Sequence, residues 1–229
     1  MVKPSLLDNL TLVDDLLRRR PWTTQTSVPG RTRALVACVV VFGFVYGAAM
    51  GGFSGLGGDH AWYILYSAVK APLLLLATFA IGLPSFFVLN TLYGLRRDFR
   101  EVLRALAAAQ AGLAVALASC APLTLLWYAS FSDYDAALLF NGFVFALASF
   151  AAQHLLRGYY RPLIARNPRH QRMLWTWLAI YIFVGIQMAW TLRPFVGAAG
   201  APVQFFRTGA EWESAYVVVA RLVWDAVWR

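Results

Sequence analysis

The chain has 229 residues, of which 60% are hydrophobic and only 14% charged, and its net charge is +9. Soluble domains carry about 25% charged residues, so this composition argues against an ordinary water-soluble domain. The basic excess does not point to nucleic acid either, because the arginines flank apolar blocks instead of forming a basic stripe interleaved with aromatics.

The first 33 residues hold Asp8, Asp14 and Asp15 and no apolar run before Arg31. A cleavable signal peptide is therefore not expected, and the first apolar block is expected to act as an uncleaved insertion signal. Within this segment, residues 5–20 (SLLDNLTLVDDLLRRR) predict an amphipathic helix. Leu6, Leu10, Val13, Leu16 and Leu17 follow helical spacing, and Asp14 and Asp15 precede Arg18 and Arg19 by four. Such a helix lies either against a leaflet or partner, or on the chain's own inner face. Pro21 and the TTQTSVPG run then predict a short linker.

Five apolar blocks follow, near 34–53, 71–92, 105–126, 136–156 and 173–192. Each is about 20 residues long, the length with which a helix crosses a hydrocarbon core of about 30 Å. Barrel strands would alternate in polarity over about 10 residues. Runs such as APLLLLATFAIGLPSFFVL are continuous instead. The predicted fold is all-α: a bundle of five transmembrane helices with an amphipathic helix at each end. Residues 1–33 form a cytoplasmic segment, 34–193 the membrane domain and 194–229 an outside tail.

Orientation follows from the basic residues. Fifteen of the twenty Lys and Arg fall in the N-terminal segment and in the second and fourth connections, as in Arg96, Arg97, Arg100 and Arg104. Positive loops stay cytoplasmic. The N-terminus is therefore predicted inside and the C-terminus outside, in a bacterial inner membrane.

The first crossing carries Gly43, Gly47, Gly51 and Gly55 at every fourth position. Such a stripe lets another helix backbone approach closely, from within the chain or from a second copy. The second crossing contains Pro72 and Pro84, which allow kinks, and Lys70 near its outer end. The third is rich in small residues, with Gln110 its single strongly polar one, and is expected at the centre. The fourth contains Asn141 and ends in Gln153, His154 and Arg157, whereas the fifth is aromatic, with Trp175 and Trp190 near its ends. Residues 209–229 predict a second amphipathic helix on the outer leaflet or across the outer loops.

Chemical motifs are few. His60, His154 and His170 have no metal-ligand spacing, and there is no P-loop, GxSxG or CxxC. Neither a catalytic residue, a cofactor nor a metal is expected. Cys38 and Cys120 should differ in depth by roughly 15 Å at the helical rise, too far to pair. None of the five blocks contains Asp or Glu, which lowers the case for a proton-coupled transporter. Lys70, Asp133, Asp135 and Arg193 approach the outer boundary from different helices. They predict either mutual ion pairing of helix ends or an anion site held by Lys70 and Arg193.

Three stretches carry a resemblance: VKAPLLLLATFAIGLPSFFVLNTLYG (69–94), WTLRPFVG (190–197) and FFR (205–207). They resemble an uncharacterised group of bacterial multi-pass membrane proteins with a KxPLLxLxT pattern ending in an NxLxG turn. This implies a shared fold and no particular activity. A more distant resemblance is to the Yip family of membrane-trafficking proteins, in the five crossings, the cytoplasmic N-terminus and the small-residue third crossing. The acidic-Leu-Tyr-Gly-Pro segment of that family is absent. The resulting expectation is a non-catalytic scaffold or accessory subunit that contacts the bilayer and other membrane proteins or itself. The alternative is a small oligomeric channel or transporter.

Overall fold

The computed structural model describes residues 13–18, 31–54, 61–197, 204–206 and 224. Gly55, His60 and the C-terminal amphipathic segment apart from Trp224 lie outside the described residues, as do residues 5–12 and 19–20 of the N-terminal one. The described chain is all-helical: α1 Arg31–Gly51, α2 Ala61–Leu92, α3 Phe99–Ser119, α4 Ala121–Ser130, α5 Tyr134–Arg166 and α6 Arg169–Thr191. With α3 and α4 taken as one crossing, five helices are long and apolar enough to span a membrane.

The helices run past the apolar blocks. α2 begins at Ala61 and α5 continues to Arg166, each about ten residues beyond the hydropathy boundary. At 1.5 Å per residue α2 is about 48 Å long, more than a hydrocarbon core of about 30 Å. Its first turns, AWYILYSAVK, are amphiphilic and suit an interface. Pro72 and Pro84 sit inside α2 without ending it. The third crossing, in contrast, is divided. α3 stops at Ser119, Cys120 forms a turn, and α4 restarts with Pro122 in its first turn. Proline has no N–H to continue the preceding ladder and is well suited to a helix start.

α2 ends in a Schellman turn. Gly94 adopts φ 77°, Leu95 N–H donates to Asn90 O and Gly94 N–H to Thr91 O, each at 3.0 Å. That is the hydrogen-bond pattern for which glycine in the left-handed region is favoured. The NTLYG run thus closes the helix and returns the chain to α3.

α1 is central, packed between α2 and α3; α5 lies on α3 and α6 on α2. The glycine stripe makes the α1–α2 contact. A Cβ on Gly43 would stand 3.1 Å from Pro72 Cα, one on Gly47 2.9 Å from Ala68 Cα, and one on Gly51 2.6 Å from Tyr63 O. The described glycines of the stripe are therefore occupied within the chain. Residues 13–17 are helical and pack inward. Leu16 is buried, and its carbonyl accepts from the Tyr159 hydroxyl at 2.8 Å. A Cβ on Gly112 of α3 would meet Leu155 at 2.5 Å and Leu16 at 3.4 Å. Among the two placements open for the N-terminal helix, its described part lies on the chain's own helices.

This packing predicts a contrast between glycines. Gly47→Ala must push two backbones apart, and the cost of such overpacking is about 1–3 kcal/mol. A Cβ at Gly142, in α5, would meet nothing within 4 Å, and its change to alanine should be neutral or stabilising by up to about 1 kcal/mol. Thermal unfolding of both variants in mild detergent checks the difference; equal melting profiles would count against the seam.

Candidate functional site

The helix alternation brings Arg96–Arg104 and Arg157–Arg172 to one end of the bundle, the arginine-rich end. Contacts between distant parts of the chain confirm the juxtaposition. Arg166 donates to both carboxylate oxygens of Glu101 at 2.6 Å, His170 Nε2 lies 3.0 Å from Asp98 Oδ2, and Arg169 reaches Tyr93 O at 3.4 Å. His170 is fully buried, with its ring edge-on to Tyr160 at 6.3 Å. Among the described residues, neither the Tyr160 hydroxyl, the Asn90 amide nor His170 Nδ1 has a hydrogen-bond partner.

Lys70, Asp133, Asp135 and Arg193 occupy the opposite end, but Lys70 and the aspartates do different jobs. Lys70 is fully buried and donates from Nζ to Pro194 O at 2.6 Å. The ammonium also stands 4.8 Å from the Phe205 ring centre and 6.0 Å from that of Phe195. No carboxylate pairs with it among the described residues. Asp133 instead caps α5, accepting from Asp135 N–H at 2.8 Å and Ala136 N–H at 3.1 Å. Such a cap satisfies backbone donors that have no carbonyl in their own helix. Asp135 occupies the first turn, where negative charge complements the helix dipole. The Arg193 guanidinium lies over the Trp190 ring, 3.0 Å from its centre, and Nε donates to Trp190 O at 3.3 Å.

The result is a polar clamp on residues 192–197. Lys70 holds Pro194 O, the Ser67 hydroxyl donates to Phe195 O, and Tyr134 hydroxyl reaches Val196 O at 3.4 Å. Val196 and Leu192 are buried beneath it. α2 and α5 thereby fix the LRPFVG segment after α6. The sequence marked Lys70 and Arg193 as neighbours of one boundary; it carried no sign that the acceptor for Lys70 is a main-chain carbonyl.

A second polar network joins α1, α4 and α5. Tyr46 hydroxyl donates to Asn141 Oδ1 at 3.0 Å, and Asn141 Nδ2 donates to Tyr128 Oη at 2.6 Å and Ala137 O at 2.7 Å. Tyr128 hydroxyl in turn reaches Met50 O at 3.3 Å. Gln110 of α3 donates to Leu75 O of α2 at 2.9 Å. These dispersed polar residues thus crosslink the helices.

A recess lies between α3, α5 and α6. Its cavity volume is about 20 Å³, and it is lined by Gln110, Ser149, Gln153, Trp177 and Tyr181 among others. That is room for about one water. Cys38 and Cys120 are both free. Among the described residues, no three His, Cys, Asp or Glu side chains converge as a metal site. No protein-family model matches the chain, and neither curated proteins nor solved structures give a significant match.

The separation of Lys70 from Asp133 is testable by a double-mutant cycle. Lys70→Ala removes packing and leaves Pro194 O without its donor, a loss of about 2 kcal/mol or more. Asp133→Ala removes a cap worth about 1 kcal/mol. The two losses should add to within about 0.5 kcal/mol, as measured by thermal or denaturant unfolding in one detergent. Larger coupling would reveal an ion pair between them.

Proposed function

We propose that the chain is a non-catalytic integral membrane protein, a scaffold or accessory subunit of a larger assembly. Its N-terminus faces the cytoplasm and its C-terminus the outside of a bacterial inner membrane. The orientation rests on the placement of basic residues, since positive connections are retained on the cytoplasmic side. The observation that carries the scaffold reading is the use of the interior polar groups. Lys70, Ser67, Tyr46, Asn141 and Gln110 all hold other parts of the same chain. They tie the helices into one shape, and hydrogen bonds between spanning helices serve that purpose at modest gain each. Outside this core, α5 and α6 present large apolar side chains, with Phe150 72% and Phe183 62% exposed. Those faces suit acyl chains and the helices of partner proteins.

A second reading, a small oligomeric channel or transporter, is favoured by one feature. The recess between α3, α5 and α6 places Gln110, Ser149, Gln153 and Tyr181 together within the span, and polar side chains at membrane depth are expensive unless they serve packing or passage. The two readings separate on purification. A scaffold, tagged and extracted gently from its native cells, should bring down a reproducible set of other membrane proteins at fixed stoichiometry by mass spectrometry. Recovery of a lone homo-oligomer that conducts solute in liposomes would overturn the scaffold and establish the channel.

A further inference from the structure

α5 and α6 lean on different neighbours. α6 packs on α2 through Trp177 against Phe79 and Phe86, and through Gly185 near Thr78. α5 packs on α1 and α3, through Phe145 against Tyr46 and Leu155 against Gly112. α5 and α6 meet near the arginine-rich end, where Tyr160 meets His170 and the Arg157 guanidinium lies over the Trp175 ring, 5.0 Å from its centre. The polar recess opens one turn further along α5, at Gln153 and Ser149.

The charges at this end are unevenly matched. Asp14 pairs with Arg18 and Glu101 with Arg166, Asp98 is hydrogen-bonded to His170 Nε2, and Asp15 acts on Arg31. Arg157 and Arg161 lie four residues apart on α5, both exposed, and neither makes an ion pair among the described residues. Residues four apart share a helix face. The Arg157 guanidinium lies over the Trp175 ring, and a guanidinium presents several N–H donors that suit phosphate oxygens. Gln153, one turn deeper by about 5.4 Å, makes no side-chain hydrogen bond among the described residues, and neither does Ser149.

We propose that Arg157 and Arg161, with Trp175, form a binding site for one anionic phospholipid. Its phosphate lies on the two guanidinium groups and its ester carbonyls point to the Gln153 amide at the mouth of the recess. The inference rests on the reading that the five helices lie in a bilayer. Charge and depth select a lipid over a soluble anion: the cationic pair stands at the end of the span, and the uncommitted amide stands inside it. Basic pockets between spanning helices recognise acidic headgroups in this way.

The test uses the full chain reconstituted in nanodiscs of phosphatidylglycerol and phosphatidylcholine, with retained lipid measured by mass spectrometry after extraction into mild detergent. Phosphatidylglycerol should be enriched on the protein. The double change R157Q/R161Q should reduce that retention about tenfold, and W175L should lower it as well. R96Q/R97Q removes the same net charge from the same end and should leave retention within about twofold. Equal loss from both double variants would show diffuse attraction and overturn the site. Displacement of the lipid by excess inorganic phosphate would also overturn it, in favour of a free-anion site. No preference over phosphatidylcholine would overturn it as well, leaving the arginine pair to an acidic segment of a partner. Melting profiles of the variants verify folding. A wild-type chain that failed to enter nanodiscs would refute the membrane reading too, whereas one that entered without lipid preference would refute only the site.

Discussion

The bundle depends on the close approach of α1 and α2. Gly43, Gly47 and Gly51 place main chain directly on main chain, against Pro72, Ala68 and Tyr63. In lipid there is little hydrophobic drive between helices, since acyl chains are as apolar as leucine, so association relies on dispersion over close surfaces and on hydrogen bonds. A larger side chain at these positions would separate the axes and forfeit contacts along the whole interface. Because α1 also packs on α3 and α4, the seam sets the position of the third crossing as well. α5 and α6 are then added from outside, one to each side of this central layer.

Polar side chains complete what the glycines begin. Tyr46, on the next face of α1, reaches Asn141 of α5 and through it Tyr128 of α4. Gln110 links α3 to α2. At the end remote from the arginines, Lys70 and Ser67 of α2 secure the segment that leaves α6. A lysine in this position is costly unless its charge is met. Its environment meets it with a carbonyl oxygen at 2.6 Å and the face of Phe205 at 4.8 Å, a dipole and a ring quadrupole in place of a counter-ion. The same side chain that requires this environment thereby fixes the course of the loop.

The five crossings were legible because hydropathy is a local property, and twenty apolar residues in sequence leave few alternatives in lipid. Their ends were less so. The run HLLRGYYRPLIAR at the end of α5 is too polar to count as apolar, yet its helix continues to Arg166. Hydropathy reports the thickness of hydrocarbon, whereas backbone hydrogen bonding decides where a helix stops. The glycine stripe could be read from its fourfold spacing, but not which helix it meets, since spacing gives a face and no partner. Lys70 could be placed near a boundary by length, while its acceptor is a backbone carbonyl 124 residues away, and every residue has one. The pairs Asp98–His170 and Glu101–Arg166 were equally hidden, because sequence separations of 72 and 65 carry no periodic signal.

The distribution of acids adds a further step to the reading of charge. Counting basic residues gives a direction across the membrane but treats every arginine alike. In the folded chain they divide into two kinds. Arg18 and Arg166 have carboxylate partners, Asp14 four residues earlier in the chain and Glu101 on α3, whereas Arg157 lies over an indole. Net charge alone cannot separate these roles, because pairing cancels the field of an arginine without removing it from the count. An arginine without a carboxylate partner keeps its field available to groups outside the chain. The basic asymmetry that predicts orientation therefore also leaves, once its paired members are set aside, exposed arginines such as Arg157 and Arg161 that no carboxylate among the described residues neutralises.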